Sequence, residues 1–205
     1  MELAAITTRA PPDTRRTSLS LSMYARKANF DDVYNRQDPR AYFAALHPLD
    51  YAVPHYAQPV IRNCVGRIAH LRGIARPVVL DLCAGYGING ALLNHVLTLE
   101  KLYAHYVGSS TRDLSAEELL AYDQFFYRCF RRRDSCAAVI GLDIAAEAIA
   151  YAQGAGLVDH GVVCDLERTD PDVKTRQLLG AADLITVTGG ISYIGDHSLR
   201  RLLSY

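Results

Sequence analysis

Residues 78–93, V-V-L-D-L-C-A-G-Y-G-I-N-G-A-L-L, admit few folds. Val78, Val79, Leu80 and Leu82 form a short apolar run after Pro77, which predicts a parallel strand covered on both faces. Gly85, Gly87 and Gly90 follow in G-x-G-x-x-G spacing. Glycines here permit a tight turn, close approach of a ligand to the backbone, and close packing of the next helix on the strand. The helix predicted from about Ile88 would turn its free N–H groups toward whatever lies above the turn, which suits an anionic or polar small ligand. The bare alternative is a strand–turn–helix corner without a ligand, and a single glycine motif does not decide between them.

The rest of the chain supplies the context. The first core helix is predicted to run to about Val96, followed by a helical insertion over residues 98–135. Within it Ser115 and Glu118 form a capping-box pattern. Leu119, Tyr122, Phe126, Cys129 and Phe130 follow at helical spacing. Arg131, Arg132 and Arg133 read as a solvated last turn complementing the helix dipole rather than as a phosphate site. Further strands are predicted at 137–144, 161–166 and 183–188. Between them lie a helix from Ala146 to about Gln153 and one started by Asp170-Pro171 and ended at Gly180. Strands alternating with helices predict an α/β fold with a doubly wound, mainly parallel sheet.

Upstream, residues 1–28 read as a loose tail with a helical turn near Met23, and residues 29–76 as an N-terminal helical segment. Asp38-Pro39 predicts a capped helix over residues 40–47, stopped by Pro48. A longer helix is predicted over 55–72, with Ile61, Cys64, Val65, Ile68 and Leu71 as its apolar stripe and Gly73 as its C-cap. The segment is rich in rings: Tyr34, Tyr42, Phe43, His47, Tyr51, His55 and Tyr56. They either form a lid over a ligand or pack the helices onto the sheet, and packing is the preferred reading for most of them.

Composition narrows the function. Basic and acidic residues balance at 22 each, leaving no electrostatic footprint for nucleic acid. Five scattered cysteines form no C-x-x-C pair, which predicts a reduced, cytoplasmic setting without a metal site. No apolar run approaches a membrane span. Arg9, Arg15, Arg16, Arg26 and Lys27 lie among Ser and Thr, a pattern read as an ordinary tail rather than a transit peptide.

The glycine turn, Asp143, Asp165 and Thr188–Gly190 are all predicted at the carboxyl edge of the sheet, where doubly wound proteins bind ligands. A dinucleotide would want an acid about 20 residues beyond the glycines. Asp143, at the end of the second strand, lies far beyond that because of the insertion. Asp81, inside the first strand, would also repel a pyrophosphate. It suits a ligand bearing a cationic amine.

Four stretches in order carry a resemblance: V-L-D-L-C-A-G-Y-G, V-I-G-L-D-I-A-A-E-A-I-A-Y-A, V-V-C-D-L-E and A-D-L-I-T-V-T-G-G. Together they resemble the class I, Rossmann-like S-adenosylmethionine-dependent methyltransferases, over residues 78–194 apart from the insertion. The resemblance implies that Asp81, Gly85 and Gly87 lie against the amino-acid moiety of S-adenosyl-L-methionine, with Cys83 standing where the family usually has glycine. It implies that Asp143 accepts from the two ribose hydroxyls and that Ile144 packs on the adenine face. Asp165 would accept from the exocyclic amine with Leu166 beside the ring, and Thr188 and Gly189 would lie near the transferred methyl group. The acid-end reading of each aspartate without a ligand is that it caps the next helix.

The family sheet has seven strands, and four are evident here. The expectation is a core without its last strands: a fragment, or a chain completed by a dimer partner or other protein on the exposed fourth strand. The reaction implied is in-line transfer of a methyl group to a small-molecule acceptor, driven by proximity and alignment. Tyr193, His197, His47 and His55 are candidate bases, none with a motif behind it. Two rivals stay open: a non-catalytic methyltransferase-like binding protein, and an NAD-dependent oxidoreductase.

Overall fold

The computed structural model describes residues 31–134 and 136–205; the predicted tail and the helical turn near Met23 lie outside the described residues. Four strands form the sheet: β1 (Val78–Leu82), β2 (Ala138–Asp143), β3 (His160–Val163) and β4 (Leu184–Val187). All pair in parallel in the order β3-β2-β1-β4. The fold is α/β and doubly wound, as the alternation predicts.

Alternation along each strand splits the core in two. Leu80, Leu82, Ile140 and Leu142 point to one face with Val162, Leu166, Leu179 and Leu202. Val79 and Val139 point to the other, with Val65, Leu93, Ala152 and Val158. Helices α8 (Val173–Gly180) and α9 (Asp196–Leu203) supply the first face. The second is covered by α3 (Val53–Arg72), α4 (Ile88–Asn94) and α7 (Ala146–Gly154). Chain order runs outward from β1 through β2 to β3, then returns to place β4 on the far side of β1. The switch point therefore lies between the carboxyl ends of β1 and β4, where open parallel sheets offer a crevice.

The N-terminal segment is helical: α1 (Asp31–Tyr34), α2 (Arg40–Leu46), a 3-10 turn (His47–Leu49) and α3. Pro48 sits inside that 3-10 turn, and α3 starts at Val53, with Pro54 in its first turn, where a missing N–H costs nothing. Gly73 caps α3 in the left-handed conformation as expected. Of the predicted stripe, Val65 is buried, whereas Leu71 is exposed. No helix among the described residues is long and apolar enough to cross a membrane.

Three sequence expectations are corrected by local chemistry. The cap of α8 is Asp172, which accepts from Thr175 N at 2.7 Å, while Asp170 instead pairs with Arg201. β3 ends at Val163, because the chain turns where Asp165 accepts from Glu167 N. In the insertion, α5 (Leu99–Val107) and α6 (Ala116–Phe130) form, and Ser115 and Glu118 make the capping box. The face that α6 buries is Leu119, Asp123 and Tyr127, with Tyr122 and Cys129 exposed. Of the three arginines that follow, Arg132 donates to the carbonyls of Asn94 and His95, and Arg131 and Arg133 face solvent.

Asp123 explains the rotation of α6. It is fully buried and both oxygens are occupied. His105 Nε2 lies 2.6 Å from Oδ1, while Tyr151 and Tyr106 donate to Oδ2 at 2.6 and 3.2 Å. Tyr127 joins through the Tyr106 hydroxyl at 2.8 Å. The carboxyl thus fastens α5, α6 and α7 together. Replacing it leaves several buried donors unmet, so Asp123→Ala is expected to destabilise the fold by about 3–5 kcal/mol, measured by urea unfolding. A change below about 1 kcal/mol would contradict this role.

Candidate functional site at the switch point

A small cavity of about 30 Å³ lies at the carboxyl ends of β1 and β4. Cys83, Ala84, Gly85, Tyr86, Ile88 and Asn89 line it from the β1–α4 connection, and Thr188 from the end of β4. The N-terminal segment closes it with Tyr34, Tyr42, Tyr51 and Pro54. Among the described residues the lining contains no lysine, arginine or histidine.

Asp81 lies behind Asn89 within β1 and is 1% exposed. In parallel register it stands between Gly141 of β2 and Thr186 of β4. Thr186 Oγ1 and Asn89 Nδ2 each donate to Asp81 Oδ1 at 2.8 Å. Oδ2 is buried with no hydrogen-bond partner among the described residues. Burial pushes the carboxyl up to about 6, the two hydrogen bonds oppose that without reversing it, and the nearby Asp143 charge adds to it.

The glycine turn is built for close contacts. Cys83 takes a left-handed φ of 55°, and its side chain packs on Gly190, whose Cα has no room for a Cβ. Burial, then the charges of Asp143 and Asp81, push the Cys83 thiol up to about 12, so it is neutral and not a nucleophile. Gly85, φ 49°, faces the ring of Tyr34, which lies 3.7 Å from where its Cβ would be. At Gly189, φ 77°, the Tyr51 hydroxyl occupies the position a Cβ would take. Tyr103 donates to the Tyr51 carbonyl at 2.9 Å and so holds this residue in place. Tyr86 anchors the same segment, accepting from Arg36 N at 3.0 Å.

Asp143 is half-buried and clamps two turns. Its Oδ2 accepts from Gly85 N at 2.9 Å and its Oδ1 from Ala145 N at 3.0 Å. Each oxygen retains a lone pair for a further donor.

Cys83, Gly85 and Thr188 thus meet at the cavity, with Asp81 behind it, Asp143 bonded to its glycine turn, and Gly189 beneath Tyr51. The others are not among the lining residues. Gly87 packs against Ala152 and Leu157, where a Cβ would come within 3.0 Å of each, so it serves helix packing. Ile144 is 67% exposed. Asp165 accepts from Glu167 N at 3.0 Å, and Leu166 is buried in the core with Leu179 and Leu202. Exposed His47 and His55, and Tyr193 and His197, are not among the lining residues. Asn89 and Thr186, which sequence reading passed over, hold Asp81; the only signal was the position of Asn89 inside the glycine motif. Among the described residues no group of three or more His, Cys, Asp or Glu could hold a metal ion.

Comparison with family models, curated proteins and solved structures finds no match.

The raised carboxyl of Asp81 fixes the sign of a stability test. An acid that ionises less readily folded than unfolded lowers stability above its folded value, here about 6, and the penalty fades as pH falls toward its ordinary value. Asp81→Asn removes the penalty while conserving shape. It is expected to stabilise the protein by about 1–3 kcal/mol at pH 8 and by less at pH 5, in urea unfolding at both pH values. Loss of stability at both would contradict the assignment.

Proposed function

We propose that this cavity is the cofactor site of an S-adenosylmethionine-dependent methyltransferase acting on a small-molecule acceptor. One observation carries the reading: a fully buried carboxyl with an unpartnered oxygen, beside the glycine turn at the switch point, with no cationic residue in the lining among the described residues. Such an oxygen fits a ligand ammonium, and a carboxylate there disfavours a pyrophosphate. S-adenosyl-L-methionine would supply an electrophilic methyl group.

The residues divide the work. Asp81 would balance the charge of the amino-acid ammonium. Asp143, with a free lone pair on each oxygen, would accept from a cis-diol. Tyr34 and Tyr51 stand over Gly85 and Gly189, and must move aside before a ligand of nucleoside size, which needs a site of roughly 300 Å³ or more, can enter. Burial holds the phenols of Tyr34, Tyr42 and Tyr51 above their ordinary range, so they stay protonated and donate rather than abstract protons. The acceptor is then a nucleophile that needs no base, such as a neutral amine.

A second reading, a binding protein without turnover, is favoured by that same lack of a base in the lining. Calorimetric titration with S-adenosylhomocysteine, with NAD as control, tests the cofactor class. The wild type is expected to bind the former only, and Asp143→Ala to weaken it about tenfold to a hundredfold. Binding of NAD alone, or of neither by the folded protein, would overturn the proposal. Methyl transfer then separates enzyme from binder.

A further inference from the structure

Two neighbouring pieces of the N-terminal segment close the cavity, and they are held in different ways. Helix α2 is a fixed frame: it buries Tyr42, Phe43 and Leu46, and Phe43 stacks on Tyr106 at 4.5 Å. The 3-10 turn that follows buries no side chain, and Leu49 within it is 65% exposed. Segments with few buried contacts are the ones that open most readily. Asp50, at the end of the turn, is exposed and takes a left-handed φ of 49°. The chain then swings inward and sets the Tyr51 hydroxyl on Gly189, next in sequence to the Gly190 on which Cys83 packs. Within the turn, Asp50 N donates to His47 O at 3.2 Å and Tyr51 N to Leu46 O at 3.4 Å. From outside it, Tyr103 on α5 of the insertion donates to the Tyr51 carbonyl at 2.9 Å.

We propose that Tyr51 is the gate of the switch-point cavity, hinged at the left-handed Asp50 and latched by Tyr103, so that the helical insertion controls entry to the site. Closed, the gate leaves about 30 Å³, space on the scale of single waters. Opening turns the Asp50 backbone out of a region that a residue with a Cβ disfavours, and lifts the Tyr51 ring from Gly189. It also breaks the bond from Tyr103. These effects oppose each other, and each is worth roughly tenfold in population, so neither form excludes the other. The inference concerns access alone and holds for whatever ligand the cavity takes.

Cys83 lines the same cavity and reports on the gate without any ligand. Its thiol stays protonated while the site is closed, because burial and the charges of Asp143 and Asp81 oppose the thiolate. A closed gate therefore makes it slow to alkylate, and opening admits both water and reagent to Sγ. Cys164 is also half-buried but is not among the lining residues, so it serves as the control in the same molecule.

The test is the rate at which N-ethylmaleimide modifies Cys83, read by peptide mass mapping with Cys164 alongside. Tyr103→Phe removes the latching hydroxyl and keeps the ring, which packs edge-on against Phe43 at 5.3 Å. In this variant Cys83 is expected to react about threefold to tenfold faster, with Cys164 unchanged. Asp50→Val alters an exposed side chain but disfavours the left-handed backbone, and is expected to speed Cys83 by about tenfold. Tyr51→Ala removes the gate itself. Adding Tyr103→Phe to it should bring no further gain, an outcome that general loosening of the fold would not give. An unchanged Cys83 rate in either single variant, Tyr103→Phe or Asp50→Val, overturns the proposal. So does equal acceleration of Cys164, or a further gain from Tyr103→Phe in the Tyr51→Ala background.

Discussion

A carboxyl group inside the central strand of a parallel sheet has to be neutralised, partnered or left costly, because water cannot reach it. Asp81 is such a group, and much of the structure around the switch point is arranged about it. Thr186 on β4 donates to it, and α4 presents Asn89. The arrangement stops halfway, with one oxygen holding two bonds and the other none.

A second fully buried aspartate in the same chain provides the contrast. Asp123 has donors on both oxygens from three side chains, and so serves as a joint between helices. The satisfied carboxyl is a structural device. The half-satisfied one is a cost that folding alone does not explain, and unpaired buried groups of this kind concentrate where a ligand completes them. The two networks are linked by packed rings. Tyr86 of the cavity packs edge-on against Tyr151, and Phe43 stacks on Tyr106 at 4.5 Å. The helical insertion therefore braces the wall of the site through aromatic contacts.

Much of the fold was legible because its determinants are local. The apolar run of β1, the glycine turn and the Ser115–Glu118 capping box each act within a few residues, and each formed as expected. Asp170, the expected start of α8, is drawn into a tertiary pairing with Arg201, and the cap falls to Asp172. The buried role of Asp123 has no local signal in the sequence, because its partners lie on other helices. The same holds for the site. Asp81, Cys83, Gly85 and Thr188 could be grouped from strand ends, whereas Asn89 resembles any polar residue in a first helical turn. Tyr34 and Tyr51 were visible as rings, but their seats on Gly85 and Gly189 depend on how the N-terminal segment folds back over the sheet. Ile144 and Leu166 followed from resemblance alone, and the structure puts one at the surface and the other in the core.

The most direct measurement is the carboxyl carbon chemical shift of Asp81 followed against pH, with and without saturating S-adenosylhomocysteine. The free protein is expected to titrate near 6. With an ammonium seated on Oδ2 the midpoint should drop below about 4, because a bonded opposite charge favours the ionised form. A free-protein midpoint at the ordinary value of about 4, or a midpoint unmoved by bound ligand, would contradict the assignment of Asp81 as the ligand's counter-charge.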